Sequence, residues 1–132
     1  MNPSDEALAL WERALTALKV ARSNLALDAD AAASRAYYAA FFAVSAHFMV
    51  RGQGFRKHSA LEAAVHRDLV KAGVWSARLG EAYSALVRLR TLSDYGTLDH
   101  VPAEEARVAV ETASQILCAV ATGHPAVFTL PA

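Results

Sequence analysis

The chain has 132 residues, of which 55% are hydrophobic, with only six glycines and four prolines. This composition excludes a disordered or collagen-like chain, and the length suits one globular domain with a sizeable core. The formal net charge is zero, yet residues 35–90 carry nine basic and three acidic residues, a segment charge of +6. Either acidic end helices pack beside this basic centre, or the centre faces RNA or a nucleotide.

Three features predict a cytoplasmic location. Cys118 is the single cysteine, so no disulfide can form within the chain. The amino-terminal stretch MNPSDEAL lacks the basic and apolar regions of a secretion signal. The most apolar run, residues 36–46, is shorter than the roughly 20 residues that cross a bilayer, so no membrane segment is expected.

Apolar residues at a spacing of three to four predict helices, and the period-2 alternation of strands is missing. The first helix is predicted from about Ser4 to Leu27, with one face formed by Leu8, Trp11, Leu15, Leu18, Arg22 and Leu25. The second is predicted from Asp28 or Asp30 to Val50. It is apolar on nearly all sides, so we expect it at the centre of the fold, ended by the glycines of the RGQG sequence.

Signals for helix starts and ends predict the third and fourth helices. The third is predicted to start at Ser59, which can form a capping box with Glu62, and to end at Gly73. The fourth is predicted from near Ser76 to Tyr95 and to stop at the glycine that follows.

The fifth helix is predicted after Pro102, with two glutamates in its first turn, and runs to about Ala121. Residues 124–132 are expected to form a tail. Because the connections are short, neighbouring helices should be antiparallel. The sequence therefore predicts an all-α fold, an up-and-down bundle of four to five helices in a single domain over residues 1–123.

Arg35 is a charged residue inside the apolar second helix. A buried charge without a partner costs several kcal/mol, and no carboxylate follows Arg35 at a helical spacing. An ion pair with Asp94 and a role in binding phosphate both explain it. The adjacent Tyr37 and Tyr38 predict that at least one hydroxyl meets a polar group near the bundle centre.

Polar residues also cluster at the end of the fourth helix, in RLRTLSDYG. Cations near a helix C-terminus interact favourably with the helix dipole, which explains Arg88 and Arg90 without any ligand. Two cations beside the carboxylate of Asp94 and the phenol of Tyr95 can equally hold a nucleotide or an RNA backbone. Both interpretations stay open on the residues alone.

No pattern in the sequence indicates a metal or a cofactor. The five histidines show no HExxH spacing and no neighbouring cysteine pair, and neither a glycine-rich phosphate loop nor a GxSxG sequence is present. Two histidines have charged residues four positions away, His47 with Arg51 and His66 with Glu62. We expect both to be surface pairs.

Several of these features together resemble the HEPN domain superfamily, in particular its small stand-alone prokaryotic members. They are the Ala-Tyr-Tyr-Ala run at 36–39, the aromatic Phe41, a histidine after a glycine-containing loop (His58), the Lys-Ala-Gly helix end at 71–73, and Arg90 with Asp94 and Tyr95. The resemblance covers about residues 30–120.

The resemblance implies a helical bundle that forms a homodimer and is encoded beside a small nucleotidyltransferase as a toxin–antitoxin pair. Many members are metal-independent RNA endonucleases with an Arg-x(4–6)-His motif. Cleavage without a metal needs a general base for the ribose 2′-hydroxyl and cations for the phosphorane charge. If Arg88 takes the arginine place, Ser93 occupies the histidine position, and a serine hydroxyl is no base at neutral pH.

Our first interpretation is a dimeric protein that binds RNA, a nucleotide or a nucleotidyltransferase through Arg35, Tyr38, Asp94, Tyr95 and Arg90, with weak or no nuclease activity. One alternative is an active endonuclease toxin in which His58 supplies the base and Arg88 and Arg90 the cations. Another is a non-catalytic adaptor in which an Arg35–Asp94 pair only fixes the helix register. On any of these, His58 is expected to join the polar cluster.

Overall fold

A computed structural model describes residues 3–96 and 98–131, and the regular structure of these residues consists of helices only. The helices are α1 (Pro3–Asn24), α2 (Ala29–Met49), α3 (His58–Ala64), α4 (Ala77–Tyr95) and α5 (Ala103–Gly123). A π-helical turn, Val65–Val70, continues α3. The predicted all-α fold with five helices is confirmed.

Helix α2 forms the centre of the bundle, as its composition predicts. Eleven of its residues are buried, and it packs against α1, α4 and α5. Its side chains therefore meet partners on several other helices, which places its tyrosines beside α4. None of the helices in the described ranges is long and apolar enough to cross a membrane.

Helices α2 and α4 begin where local sequence signals predict. The Asp28 carboxylate accepts a hydrogen bond from the Ala31 amide at 3.2 Å, and the Ser76 hydroxyl accepts one from the Leu79 amide at 3.1 Å. Such N-caps satisfy backbone donors that have no partner within the helix. Gly73 has a φ of 81°, a conformation that favours glycine, and it lies at the predicted end of the third helical segment.

Two local predictions are wrong. Helix α3 begins at His58 without a side-chain cap, and Glu62 accepts a hydrogen bond from Ser84 of α4 instead of forming the capping box. Leu8, predicted on the buried face of α1, is 43% exposed, because that face is formed largely by alanines together with Trp11. Small side chains let α1 and α2 pack closely, so the larger leucine lies outside the contact.

Helix α4 stops at Gly96, as predicted, for a steric reason. The glycine backbone is extended, with φ −72° and ψ 136°. A Cβ atom at this position would lie 2.6 Å from the Leu92 carbonyl oxygen and 3.1 Å from that of Asp99. The residue is therefore required for close approach of the backbone rather than for a left-handed turn.

The predicted tail leaves the helix after Gly123 but packs against the bundle. Phe128 is 1% exposed and stacks on Trp11 of α1, with the ring centroids 5.0 Å apart. The Trp11 indole nitrogen donates a hydrogen bond to the Thr129 carbonyl oxygen at 2.9 Å. The described part of this segment, up to residue 131, therefore contributes to the core.

Candidate functional site

Arg90 lies among aromatic rings between α4 and α2. Its side chain is only 16% exposed. The guanidinium carbon is 5.5 Å from the centre of the Tyr37 ring, 5.8 Å from that of Tyr38 and 5.7 Å from that of Tyr95. Aromatic faces attract cations, so the three tyrosines offset part of the desolvation of this charge.

Most of the hydrogen-bonding capacity of Arg90 is unused. Its Nη2 donates to the Tyr38 hydroxyl at 3.3 Å, and this contact is the main cause that raises the pKa of Arg90. Its Nε lies 3.2 Å from Oδ2 of Asp94, which is ion-pair distance, but the geometry is not that of a hydrogen bond. A guanidinium has five N–H donors, so four of them have no acceptor among the described residues.

Arg35 contacts the same tyrosine from α2. Its guanidinium carbon lies 4.6 Å from the centre of the Tyr38 ring. The predicted Arg35–Asp94 ion pair is wrong: Asp94 pairs with Arg90, because a spacing of four brings these two side chains together on one helix. Arg35 and Asp94 nevertheless line one open cleft of about 430 Å³.

His58 joins this group through a tyrosine of α2. Its Nδ1 lies 2.5 Å from the Tyr37 hydroxyl, and its ring stacks on Phe41 with centroids 4.4 Å apart. Burial is the main cause that lowers the pKa of His58, and the charge of Arg90 lowers it further. The imidazole is therefore neutral at pH 7.

The Tyr37 hydroxyl occupies Nδ1 of His58 through this hydrogen bond. Its side chain is fully buried, and burial raises its pKa to about 12, so the hydroxyl keeps its proton at neutral pH. A neutral imidazole has one N–H and one free lone pair. Nδ1 either accepts from Tyr37, with the proton of His58 on Nε2, or donates to Tyr37, with the proton on Nδ1, so the tautomer sets the direction of this bond. We refer to the assembled group as the Arg90 cluster: Arg35, Tyr38, His58, Arg90 and Asp94.

The remaining residues predicted for the site lie at its edge or elsewhere. Tyr95 is 69% exposed and forms the outer edge of the Arg90 cluster. The Ser93 hydroxyl donates to the Arg90 carbonyl oxygen, three residues back within α4, at 3.0 Å. Arg88 is exposed and lines two other clefts, one beside Ser84 and one between α4 and α5. The two arginines at the end of α4 therefore face different regions of the surface.

A second polar group, which we call the Ser84 cluster, consists of Glu62, His66 and Ser84. The Ser84 hydroxyl donates to Glu62 at 2.6 Å and lies 2.8 Å from Nε2 of His66. The prediction of a surface pair between Glu62 and His66 is wrong, because the π-helical turn packs on α4 where Gly80 has no side chain. The four-residue spacing gives no indication of a partner on another helix.

His47 also has a different partner from the one predicted. Its Nδ1 lies 2.8 Å from Nε2 of His124, beyond the end of α5, whereas Arg51 is exposed. Burial lowers the pKa of His47 to about 4, with a smaller contribution from His124. Within residues 3–96 and 98–131, no three His, Cys, Asp or Glu side chains form a group that could hold a metal ion.

Comparison with known proteins gives this fold a family. The HEPN domain family model matches residues 7–123. A UPF0332 protein from Thermotoga maritima is 32% identical over 124 residues, which cover 91% of this chain and 92% of that protein. The crystal structure of TT1696 from Thermus thermophilus matches with a TM-score of 0.72 and 26% identity, over 92% of this chain and 98% of that one. The chain is therefore a HEPN domain protein of the UPF0332 type.

Proposed function

We propose that this protein binds RNA or nucleotide phosphates at the Arg90 cluster and has weak or no nuclease activity. The observation that supports binding most directly is the state of Arg90: tyrosine rings enclose the charge, and among the described residues its N–H groups have only the Tyr38 hydroxyl as a hydrogen-bond acceptor and Asp94 as an ion-pair partner. The planar fork of guanidinium donors matches phosphate oxygens, and such charge-assisted bonds are strong. Arg35, on the same tyrosine ring, adds a second cation.

We expect weak or no cleavage from the state of the two candidate bases. A general base needs a free lone pair within reach of the ribose 2′-hydroxyl. Ser93, at the position that the family motif gives to histidine, donates to a backbone carbonyl and offers no base. In His58 the Tyr37 hydroxyl occupies Nδ1, so Nε2 is the one ring nitrogen left for this role, and it has a free lone pair only in the tautomer with the proton on Nδ1.

Binding is tested with a fluorescein-labelled octauridylate, whose anisotropy is titrated with protein at several salt concentrations. We expect Arg90→Ala to weaken affinity about tenfold or more, because a charge-assisted hydrogen bond contributes roughly 1.5–3 kcal/mol. The slope of log K against log salt should fall by about 0.7 for each phosphate that the variant no longer neutralises. Arg35→Ala should have a smaller effect in the same direction.

Two variants of α4 serve as controls. Arg78→Ala removes an exposed cation in the first turn of α4 and should leave affinity unchanged. Arg88→Ala tests the residue that the family motif favours but the structure separates from the cluster. Affinity that drops in Arg88→Ala and not in Arg90→Ala contradicts the proposed site. Affinity unchanged in both favours the adaptor alternative.

An active ribonuclease is the second candidate, because a neutral histidine and a guanidinium lie close together in the Arg90 cluster. Structured RNA incubated with the protein in excess EDTA decides between the two. Cleavage that disappears in both His58→Ala and Arg90→Ala supports a metal-independent nuclease. RNA that stays intact with the unaltered protein removes this candidate.

From the family resemblance we also propose that the protein forms a homodimer. Its partner in a toxin–antitoxin-type system would be a small nucleotidyltransferase. Light scattering on the purified chain measures its oligomeric state. Co-purification with a nucleotidyltransferase encoded next to it measures the partner interaction. A monomer at micromolar concentration that retains no such partner contradicts this part of the proposal and leaves RNA binding to be judged separately.

A further inference from the structure

A row of alternating cations and aromatic rings extends from the Arg90 cluster towards α1. Tyr38 and Phe42, one helical turn apart on α2, have ring centroids 6.0 Å apart. Arg13 of α1 lies over Phe42, with its guanidinium carbon 4.8 Å from the ring centre. Arg35 lies over Tyr38 in the same way. Each ring in the row therefore carries a cation from a different position in the chain.

The far end of this row opens into a cleft between α1 and α2. The cleft has a volume of about 310 Å³, and its lining includes Arg13, Arg35 and Phe42. Arg35 thus belongs both to the Arg90 cluster and to this cleft. Glu12 at the rim is the one acidic residue among the described residues that line it, so the lining carries two positive charges and one negative.

The other cleft that Arg35 lines has the reverse charge. This larger cleft of about 430 Å³ is lined by the carboxylates of Asp28 and Asp30 and by Asp94, which is paired with Arg90. A polyanion that contacts Arg90 is repelled from that cleft and attracted towards Arg13. The charges alone therefore give an extended ligand a direction across the surface.

The combination of residues fits a particular ligand chemistry. Single-stranded nucleic acids bind where cations follow the phosphates and aromatic or guanidinium planes stack on the bases. Arg13 is exposed and its guanidinium lies over the Phe42 ring, so it offers a planar group of this kind. An acidic peptide would use the cations but gain nothing from the aromatic rings, so the observations favour single-stranded RNA.

We propose that the α1–α2 cleft, formed by Arg13, Phe42 and Arg35, is a second nucleotide subsite for a single RNA strand whose phosphate contacts Arg90. This inference rests on the proposed RNA binding and adds the path of the strand, which leaves the Arg90 cluster towards α1 and away from Asp28 and Asp30. Affinity should therefore depend on the length of the RNA.

The test compares labelled diuridylate with labelled octauridylate. In the unaltered protein the longer RNA should bind at least tenfold more tightly, because it reaches both subsites. Arg13→Ala and Phe42→Leu should each weaken octauridylate binding about five- to tenfold and leave diuridylate binding unchanged. Phe42→Leu keeps an apolar side chain at a half-buried position, and thermal unfolding of both variants confirms that they fold.

The outcomes separate this subsite from the Arg90 cluster. If Arg90→Ala weakens both RNAs but Arg13→Ala and Phe42→Leu weaken neither, the second subsite is wrong and the first site stands. If Arg90→Ala changes neither RNA, RNA binding at the first site is wrong as well. An octaglutamate peptide that displaces octauridylate at equal concentration, with no effect of Phe42→Leu, identifies an acidic peptide partner and overturns the RNA subsite. Arg78→Ala is the control throughout.

Discussion

The Arg90 cluster and the Ser84 cluster are named after two residues of α4 that lie six positions apart, and they use their polar groups in opposite ways. In the Ser84 cluster the hydroxyl donates to Glu62 and is bonded to His66, so its hydrogen-bonding capacity is used within the protein. In the Arg90 cluster four N–H donors of one guanidinium have no acceptor among the described residues. Polar groups that satisfy each other stabilise a fold, whereas unsatisfied ones on a half-covered charge are available to a ligand.

The variant with the largest expected effect on stability is Gly80→Ala, which targets the Ser84 cluster. A Cβ atom at Gly80 would clash with Val70, whose β-branched side chain has little freedom to move, and would touch the His66 ring. We expect a loss of about 1–3 kcal/mol in the free energy of unfolding, measured with urea, because added volume forces packed helices apart. Octauridylate affinity of the folded variant should be unchanged. A fully stable variant contradicts the packing described for the π-helical turn.

Ser84→Ala should have the next largest effect. It leaves Glu62 and His66 without their shared partner in a half-buried position. The expected loss is about 1–2 kcal/mol in urea unfolding, the range for a polar group that loses its hydrogen bond on burial. An accompanying drop in RNA affinity would show that the two clusters are coupled, contrary to the comparison drawn above.

Arg90→Met should have the reverse effects: it should leave stability nearly unchanged and lower RNA affinity. Methionine keeps the apolar contact with the tyrosines and removes a charge that has little hydrogen bonding to lose. Asp94 loses its ion-pair partner but is 29% exposed and stays solvated, and a partly exposed ion pair contributes about 0–1 kcal/mol, so we expect the free energy of unfolding to change by less than about 1 kcal/mol. RNA affinity should fall as in Arg90→Ala. Strong destabilisation with unchanged affinity would make Arg90 a structural residue.

The smallest expected effect on RNA affinity concerns pH. The pKa of His58 lies below its ordinary value, so the imidazole is neutral at pH 7.5 and gains a charge only at a lower pH than an ordinary histidine does. This charge favours bound phosphate, so we expect RNA affinity at constant salt to rise about two- to fivefold once the pH is low enough to protonate His58. His58→Gln should abolish the rise. An increase that persists in His58→Gln has another source.

Protonation of a buried histidine lowers the stability of the fold, in contrast to its expected effect on RNA affinity. A histidine whose pKa is lowered in the folded state binds protons more readily when unfolded, so stability is lost as the pH falls below about 6.5. His47, with a pKa of about 4, should show this most clearly. After allowance for partial exposure to solvent, we expect about 1–2 kcal/mol less stability at pH 4 than at pH 7. His47→Gln should reduce that difference in urea unfolding.

Local signals were sufficient for the fold and for part of the site. The helix starts at Asp28 and Ser76 depend on a side chain and an amide three residues apart, and such pairs can be read directly from the sequence. The Arg90–Asp94 pair has the helical spacing of four. For this reason Arg90, Asp94 and their tyrosine neighbour could be grouped before any coordinates were known.

Contacts between helices could not be predicted, because they depend on how each helix is rotated and shifted against its neighbour. The Tyr37–His58 hydrogen bond joins residues 21 positions apart, and Ser84 lies 22 positions from Glu62. No spacing rule applies to such pairs. The prediction of Asp94 as the partner of Arg35 was wrong for the same reason. The charge of Arg35 required a neighbour, but the sequence did not show that this neighbour is the ring of Tyr38.

The contact of Trp11 with Phe128 and Thr129 has a consequence for synthesis of the protein. The indole donates to a carbonyl 118 positions later, and Phe128 stacks on its ring. Until residues 128 and 129 have left the ribosome, the indole lacks both contacts. Nascent chains that stall before residue 128 should therefore expose more of this tryptophan to chaperones.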